Sequence, residues 1–308
     1  MQTVAIIGLG LIGGSLGLAL KHHNESSGEH RYQVIGYDQR QEQREQARQR
    51  GAIDQASPSL AEAVQQADVI MLATPALAIR QVLSDLAPLL REGALLSDVA
   101  STKAQVMRWA AELVPPHARF IGGHPMAGST GSLEAATSDL FTGATYCLVL
   151  PDGPARSVPD MLSQMIADVG ANLLLLDAAT HDQAVAAISH LPFLAASALV
   201  ETVAAADEKV LQVMSALASS GFRDTTRLAT GDPTMYHDIS LTNREAILSW
   251  LEAYLAQLQA LRDLLQTSPQ EQDARLKAVF NAARQHRDFL LSAKTHKKTL
   301  DRSEKDTV

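Results

Sequence analysis

The chain has 308 residues, which corresponds to about two domains of ~150 residues each. Hydrophobic residues make up 46% and charged residues 19% of the sequence, and the net charge of -8 with scattered Lys and Arg excludes a nucleic-acid-binding stripe and a membrane-surface helix from our expectations. No apolar run reaches the ~18 residues that span a bilayer, the N-terminus lacks a signal-peptide pattern, and the single cysteine, Cys147, cannot form a disulfide within the chain. We therefore expect a cytoplasmic protein that binds neither nucleic acid nor membrane.

A glycine-rich turn follows the first predicted strand. Residues 3–7 form an apolar run, Gly8-Leu9-Gly10-Leu11-Ile12-Gly13 comes directly after it, and residues 14–21 have helical character. This is the G-x-G-x-x-G pattern in the strand–turn–helix setting that binds a dinucleotide pyrophosphate, because glycines allow the turn, the close approach of the phosphates and the packing of helix on strand. The predicted cofactor-binding residues of this turn are Gly8, Gly10, Leu11, Ile12 and Gly13.

The second predicted strand, residues 32–37, ends in an acidic residue. Asp38 lies 25 residues after Gly13, slightly beyond the usual ~20, and we predict that a polar surface loop over residues 22–30 absorbs the difference. A carboxylate here would bind a ribose 2′-hydroxyl and repel a 2′-phosphate, which favours NAD over NADP. Arg40 keeps NADP open, and the alternative for Asp38 is an ordinary turn residue at a strand end.

Strands and helices continue to alternate through the first half. Strands are predicted over residues 69–74, 94–99, 119–123, 144–150 and 172–177, with helices over 77–90 and 157–169. Buried strands without polar alternation predict an α/β Rossmann-type, doubly wound, mostly parallel sheet. The carboxyl ends of parallel strands share one edge, so Thr74, Pro75 and Ser101 are expected at the cofactor with the glycine turn. Ser101 has the alternative role of capping the next helix.

His124 follows the strand over residues 119–123. We expect Pro125 to end strand pairing after it, and Gly122, Gly123 and Gly128 to let another molecule approach closely. A histidine at this edge of the sheet is suited to move a proton near neutral pH. The alternative is a structural histidine that caps a turn.

After residue 177 the pattern is helical, which predicts a dinucleotide-binding domain over 1–177 and an all-α substrate and dimerisation domain over 178–308. Helices are expected over 180–206, 207–219, 234–266 and 270–293, and the first is apolar on more than one face, as in a core or a subunit interface. Pro192 predicts a kink, beside which His190 either satisfies a freed carbonyl or faces the cleft. A loop over 221–227 carries Arg223 and Arg227, which suit recognition of a carboxylate or a surface salt bridge.

Five motifs in this order resemble the prephenate/arogenate dehydrogenase family of tyrosine biosynthesis. They are the glycine turn, Asp98-x-x-Ser101-x-Lys103, Gly123-His124-Pro125-Met126-Ala127-Gly128, Ser189-His190-Leu191-Pro192 and Gly221-Phe222-Arg223-Asp224-Thr225-Thr226-Arg227. The last four are far more specific than the glycine turn, and the resemblance covers roughly residues 1–290.

The resemblance implies NAD(P)-dependent oxidative decarboxylation of prephenate to 4-hydroxyphenylpyruvate, or of arogenate to tyrosine. From the apolar helix at the start of the second half we expect a homodimer, and we expect no metal site. The resemblance also implies that His124 takes the proton of the ring hydroxyl as hydride leaves for the nicotinamide, that Ser101 orients His124 and the nicotinamide, and that Arg227 binds a substrate carboxylate. We add His190, Ser129 and Thr130 as candidate substrate-binding residues.

Two positions depart from the family pattern. Phe193 stands where His-Leu-Pro-His is frequent, and Thr130 stands where an acidic residue often follows the catalytic histidine. Prephenate is our first expectation, with an arogenate or dual-specificity cyclohexadienyl dehydrogenase as the alternative. A β-hydroxyacid dehydrogenase would need a catalytic lysine in the helical half, for which we find no candidate, and a non-catalytic NAD-binding module is the remaining alternative. We expect no regulatory or chorismate-mutase extension.

Overall fold

The structure is a computed structural model that describes residues 1–128, 131–151 and 157–303, with the side chains of residues 270, 271 and 293–303 left aside. It separates into two compact units, Met1–Trp250 and Leu251–Val308. All of the strands and every candidate site residue that the structure describes belong to the first unit.

Eight strands form one sheet with the order β3-β2-β1-β4-β5-β6-β7-β8. Each neighbouring pair is parallel except β6 and β7, which are antiparallel. The strands are β1 (Gln2–Ile7), β2 (Tyr32–Tyr37), β3 (Gln55–Ala56), β4 (Val69–Leu72), β5 (Leu95–Asp98), β6 (Arg119–Pro125), β7 (Thr145–Val149) and β8 (Asn172–Leu175). The predicted mostly parallel, doubly wound sheet is confirmed.

Helices connect the strands and make up the described chain after β8, as predicted. In the strand-containing part they are α1 (Leu11–Ser27), α2 (Gln41–Gln49), α3 (Leu60–Val64), α4 (Ala78–Leu86), α5 (Ala104–Leu113) and α6 (Asp160–Asp168). They continue as α7 (Ala178–Val185), α8 (Leu191–Ala204), α9 (Glu208–Leu217), α10 (Ser220–Thr226), α11 (Pro233–Thr242), α12 (Arg244–Leu265) and α13 (Pro269–Ser303).

The core has one apolar layer on each face of the sheet. Alternate residues of β1 enter different layers, with Val4 and Ile6 in one and Ala5 and Ile7 in the other. All four side chains are at most 2% exposed. Because successive strand residues point to opposite faces, a strand covered on both sides reads as a continuous apolar run.

The predicted surface loop over residues 22–30 is wrong, because α1 continues to Ser27. Buried Asn24 holds this last part of the helix: its Nδ2 donates to the Tyr32 carbonyl at 2.6 Å and its Oδ1 accepts from the Tyr32 N–H at 3.0 Å. The helix ends at Gly28, whose φ of +71° is the left-handed conformation that glycine adopts readily. A polar surface sequence therefore concealed a helix that one buried side chain anchors to β2.

Strand pairing continues past His124, contrary to the prediction. On the side of β5 the parallel pairing ends at Ile121, but on the other side His124 pairs with Cys147 and Pro125 with Tyr146 of β7. Pro125 has no N–H to contribute, but it is tolerated because it is the last residue of the strand. His124 is thus held inside a strand rather than in the turn after it.

Three details of the helical part also differ from the prediction. Residues 221–227 are not a loop, since α10 covers Ser220–Thr226 and a 3₁₀ turn, Arg227–Thr230, follows it. The predicted helix over 234–266 is broken at Asn243 into α11 and α12. One π turn, Ala186–His190, joins α7 to α8 just before Pro192, and such turns are frequent at functional sites.

The helical run Ala178–Ala204 is long and apolar enough to cross a membrane by length and composition alone. We expected no uninterrupted run of ~18 apolar residues, and this helical run does not contradict that expectation, because polar residues such as His181, Asp182 and His190 interrupt it. Only 22% of its most apolar window is buried within the described chain. Core helices of proteins without membrane spans pass the same test, and a partner subunit is another way to cover such a surface.

Candidate active site

The glycine turn lies between β1 and α1 and is too tight for side chains at two of its positions. Gly8 has a φ of +98°, and a Cβ there would lie 2.5 Å from the Ala73 carbonyl oxygen. A Cβ on Gly13 would lie 2.0 Å from the Gly8 carbonyl oxygen. A Cβ on Gly10, in contrast, would meet no described atom within 4 Å. The turn is thus packed against the protein on one side and open at Gly10, which fits a cradle for a pyrophosphate.

The other predicted residues of this turn contribute backbone rather than side chains. Leu11 is buried in the core and Ile12 packs against it. Their N–H groups lie in the first turn of α1, where a helix leaves N–H groups without intrahelical acceptors.

Asp38 lies directly after β2 and is held beside the glycine turn. Its Oδ2 accepts a hydrogen bond from the Leu9 N–H at 3.1 Å, and its Oδ1 accepts from the Arg40 N–H at 3.0 Å. The Arg40 Nε lies 3.5 Å from the same carboxylate, but the Arg40 side chain is 68% exposed. The acidic group is therefore fixed, whereas the neighbouring guanidinium can move.

Thr74 adjoins the glycine turn from β4, since a Cβ on Gly8 would lie 3.0 Å from the Thr74 nitrogen. The Thr74 Oγ1 is buried and has no hydrogen-bond partner among the described residues. Pro75, the next residue, is exposed. A buried hydroxyl without a partner beside an open glycine turn fits a site that a polar ligand completes.

His124 is 8% exposed and sits between glycines that face the protein itself. A Cβ on Gly122 would lie 2.8 Å from the Met107 sulfur, and one on Gly123 would lie 2.3 Å from the Asp98 carbonyl oxygen. Only Gly128 is open, with no described atom within 4 Å of its added Cβ. Our expectation that all three glycines admit another molecule is therefore wrong for Gly122 and Gly123, which let β6 pack closely.

A buried lysine holds the strand that carries His124. The Lys103 ammonium, which is fully buried, donates to Asp98 Oδ2 and, at 2.6 Å, to the Gly123 carbonyl oxygen. Asp98 Oδ1 accepts from the Gly123 N–H at 2.9 Å. Burial lowers the pKa of Lys103, and the charge of Asp98 opposes that shift. The motif Asp98-x-x-Ser101-x-Lys103 thus fixes the backbone next to His124.

His124 is hydrogen-bonded to a second histidine that the sequence analysis did not identify. The His124 Nδ1 lies 2.8 Å from the His181 Nε2, and the His181 Nδ1 lies 2.8 Å from Asp182 Oδ1. Asp182 in turn accepts from the Lys103 N–H at 2.7 Å and the Ala104 N–H at 2.8 Å, at the start of α5. An adjacent His-Asp pair in an apolar helix with few charges was the only signal in the sequence.

Ser101 is half-buried and does not cap α5, so that alternative is wrong. The helix begins after Lys103, and the carboxylate of Asp182 accepts from the first N–H groups instead. In the described part of the chain the His124 Nδ1 is bonded to His181, and no hydrogen bond joins the Ser101 and His124 side chains. A role for Ser101 at the nicotinamide stays a prediction.

His190 joins the same network from the π turn. It is 1% exposed, and its Nδ1 lies 3.3 Å from the Asn243 Nδ2, which also donates to the Asp182 carbonyl oxygen at 2.8 Å. Burial lowers the pKa of His190 from 6.5 to about 4. Asn243, at the break between α11 and α12, therefore ties His190 to the residue pair behind His124.

Arg227 is not hydrogen-bonded to this network in the described part of the chain. Arg227 is exposed in the 3₁₀ turn that packs on α8, and its guanidinium forms no hydrogen bond or ion pair with any side chain that the structure describes. Ser129 and Thr130 lie outside the described residues. The roles of all three stay predictions.

The His124 imidazole is neutral at physiological pH. Burial lowers the pKa of His124 well below 6.5, and the charge of the nearby Lys103 ammonium lowers it further. Among the described residues none is hydrogen-bonded to the His124 Nε2. The arrangement therefore presents one unprotonated ring nitrogen that can accept a proton. The described chain has no group of His, Cys, Asp and Glu side chains that could hold a metal ion.

Comparison with known proteins places both halves of the chain in one family. Residues 16–175 match the family "Prephenate dehydrogenase, nucleotide-binding domain", and residues 177–282 match "Prephenate dehydrogenase, dimerization domain". A prephenate dehydrogenase of Bacillus subtilis is 32% identical over 294 residues, which cover 94% of this chain and 76% of the relative.

Solved structures give the same result. An arogenate dehydrogenase of Synechocystis is 33% identical with a TM-score of 0.78, and the match covers 94% of this chain and all of the other. A prephenate dehydrogenase of Aquifex aeolicus, in complex with hydroxyphenyl propionate and NAD+, is 26% identical with a TM-score of 0.82 over 94% of this chain and 98% of the other.

Proposed function

Because the chain belongs to the prephenate dehydrogenase family, we propose that it catalyses the NAD-dependent oxidative decarboxylation of prephenate to 4-hydroxyphenylpyruvate. The observation that supports this most is the His124 imidazole, which is buried, has a lowered pKa and is hydrogen-bonded through Nδ1 to His181. His124 lies on β6, which is separated from β4 by only one strand, β5, in the sheet. The residues that follow β4 adjoin the glycine turn.

NAD+ would supply the hydride acceptor when bound. The Nε2 of His124 takes the proton of the ring hydroxyl, whose oxygen becomes a carbonyl as the ring is oxidised. Loss of the ring carboxylate as carbon dioxide then leaves its bonding electron pair in the ring, which becomes aromatic, and the former carbonyl oxygen takes back one proton to give the 4-hydroxyl group. Arg227 is proposed to bind a substrate carboxylate, with His190, Ser129 and Thr130 near the substrate and Ser101 between His124 and the nicotinamide.

The glycine turn, Thr74 and Pro75 are proposed to hold the cofactor, with Asp38 at the ribose. The fixed carboxylate of Asp38 favours a 2′-hydroxyl over a 2′-phosphate, so NAD is the expected cofactor. Arg40 is exposed and close enough to turn toward a 2′-phosphate, which makes NADP the second choice rather than an impossible one.

Arogenate is the second candidate substrate, since one similar structure is an arogenate dehydrogenase. Phe193 fills the position where a histidine is frequent in the family, and its ring stacks on Tyr236 with 3.4 Å between ring centres. Unlike a histidine, the Phe193 ring offers neither charge nor hydrogen bond to the group by which prephenate and arogenate differ, a keto or an amino group.

We also propose that two chains form a homodimer through the helical half, in the cytoplasm. Exposed apolar side chains are frequent on the helices after β8, which belong to the segment that matches a dimerization domain. Those on α8, α9 and α12 include Leu199, Val210, Val213, Met214, Leu217, Leu248, Trp250, Leu255 and Leu258. Such surfaces on one chain are typical of subunit interfaces.

The direct test is the appearance of the NADH absorbance when the protein is mixed with NAD+ and either prephenate or arogenate. We expect NADH with prephenate at a higher kcat/KM than with arogenate. A higher kcat/KM with arogenate would assign the enzyme to that substrate, and cofactor binding without NADH from either would indicate a non-catalytic NAD-binding module.

A further inference from the structure

We propose that His181 and Asp182 are positioning residues that fix the tautomer of His124, so that its Nε2 is always the unprotonated nitrogen. This inference rests on the proposed function, because it concerns the proton acceptor of that reaction. It is carried by three consecutive side chains in hydrogen-bond contact, with 2.8 Å from His124 Nδ1 to His181 Nε2 and 2.8 Å from His181 Nδ1 to Asp182 Oδ1.

The carboxylate of Asp182 is the fixed end of this chain. Its Oδ1 and Oδ2 accept hydrogen bonds from the N–H groups of Lys103 and Ala104 at 2.7 and 2.8 Å. These N–H groups lie at the start of α5, where the helix dipole favours a negative charge. The Asp182 main chain is held as well, because the Asn243 Nδ2 donates to its carbonyl oxygen.

The tautomers follow from that end, one residue at a time. An ionised carboxylate only accepts, so the His181 Nδ1 facing Asp182 must carry a proton. Neutral His181 then has an unprotonated Nε2, which can only accept from the Nδ1–H of His124. The remaining His124 nitrogen, Nε2, consequently has a free electron pair. This is the arrangement that a general base requires.

The same chain stabilises the product of proton transfer. One proton moves from the substrate hydroxyl to the His124 Nε2, and no other covalent bond of the protein changes. The resulting imidazolium donates through Nδ1 to His181, and a hydrogen bond from a charged donor is stronger than one from a neutral donor. Asp182, one residue further, supplies the compensating negative charge.

Among the described residues that face His124, no carboxylate other than Asp182 can supply this compensating negative charge. Lys103 approaches from α5 and is itself bonded to Asp98, His190 approaches from the π turn, and Cys147 lies opposite on β7. The charge of Lys103 disfavours an imidazolium at His124, which makes the negative charge of Asp182 behind His181 more important.

The first experiment compares kcat and KM of three variants. His181→Phe keeps a ring but removes the acceptor, and we expect a loss of about 10- to 100-fold in kcat, less than the ~10²–10⁴ of the base itself, with KM for NAD+ and prephenate changed by less than about twofold. His181→Gln restores an acceptor for the His124 Nδ1–H and should recover part of the loss.

A matched control exists on α11. His237 and Asp238 form another adjacent His-Asp pair, with 3.2 Å between Nδ1 and Oδ1, but His237 is exposed and has no contact with His124. His237→Phe should leave kcat unchanged. Wild-type kcat in His181→Phe, or a loss confined to KM, would contradict the proposal.

The second experiment is the pH dependence of kcat/KM for Asp182→Asn. The amide keeps an acceptor for α5 but removes the negative charge, so the protonated form of His124 becomes less stable and its pKa falls. The acid limb of the profile should therefore move to lower pH, while the maximum falls. An unmoved acid limb would show that Asp182 acts only as a structural cap.

The third experiment requires no substrate and no variant. Nitrogen-15 NMR of labelled histidine in the wild-type protein at pH 8 should show His124 and His181 both protonated at Nδ1 and unprotonated at Nε2. Protonation of His124 at Nε2 would overturn the proposal even if every variant fails to fold. Since this measurement does not depend on turnover, it separates failure of the positioning chain from failure of the proposed reaction.

Discussion

At the scale of single residues, burial decides the charge of the histidines around the site. His124 and His190 are 8% and 1% exposed, and neither has a carboxylate in direct contact among the described residues, so both are held neutral. A neutral His124 can accept a proton, whereas an imidazolium cannot. The cost of this arrangement should appear as a loss of stability in acid.

We predict that the free energy of unfolding falls as the pH decreases from 6.5 to about 4, partly because of His190. Above pH 6.5 neither state binds a proton at this residue, and between 6.5 and about 4 only the unfolded state does, because burial lowers the native pKa to about 4. The full loss is about 3 kcal/mol.

Urea unfolding of the wild type and of His190→Asn at several pH values measures this contribution. The variant should lose less stability across the window, whereas His22→Asn, on an exposed residue, should match the wild type. Parallel curves for His190→Asn and wild type would contradict the prediction.

Local sequence patterns predicted Gly8, Gly13, Asp38 and His124 as candidate site residues because each has its reason within its own segment. For His181 the sequence offered only the adjacent Asp182, because its other partner, His124, lies 57 positions away in the chain and no short motif joins the two histidines. Which histidine meets His124 depends on how α7 packs, and a single sequence does not contain that information.

At the scale of elements, two glycines in the turn between β1 and α1 have different roles. Gly13 is required by the fold, because a Cβ would lie 2.0 Å from the Gly8 carbonyl oxygen. Gly10 is not, because a Cβ meets nothing within 4 Å and its φ of -78° suits any residue. Gly10 would then be required only by a bound pyrophosphate.

We predict that Gly13→Ala lowers both the free energy of unfolding, by about 1–3 kcal/mol, and the affinity for NAD+. Gly10→Ala should lower the affinity for NAD+ and leave stability within ~0.5 kcal/mol. Calorimetric binding of NAD+ and denaturant unfolding measure the two effects. Wild-type NAD+ affinity in Gly10→Ala would place the cofactor elsewhere.

The sequence predicted the type and order of the strands but not several helix bounds. Buried parallel strands produce unmistakable apolar runs, as in β1 and β4. In contrast, the end of α1 depends on the contact of Asn24 with Tyr32, and α10 covers residues 221–226, whose sequence indicated a glycine-started loop. Tertiary contacts override local propensity at such places.

At the scale of the whole molecule, one chain leaves much of its helical half uncovered. In the described part of the chain, α9 has no buried residue, and Val213 and Leu217 are 58% and 75% exposed. The second copy of the chain that we propose would remove this apolar area from water, which is the main driving force of obligate association.

We predict a particle of twice the 33.0 kDa chain mass in solution. Val213→Asp should shift it toward the single-chain mass, because an unpaired charge is costly at an apolar interface. Leu175→Asp, on the edge strand β8 and 50% exposed, should not. Light scattering after size-exclusion chromatography tests this, and an undisturbed dimer in Val213→Asp would place the interface on another surface.

If the Nε2 of His124 accepts the proton during prephenate oxidation, the rate of NADH formation in His124→Asn must fall. We expect a kcat lower by ~10²–10⁴ with prephenate still bound at near wild-type KM. His117→Asn, whose wild-type ring contacts the Leu90 carbonyl outside this network, should keep wild-type kcat. Wild-type kcat in His124→Asn would show that another group accepts the proton.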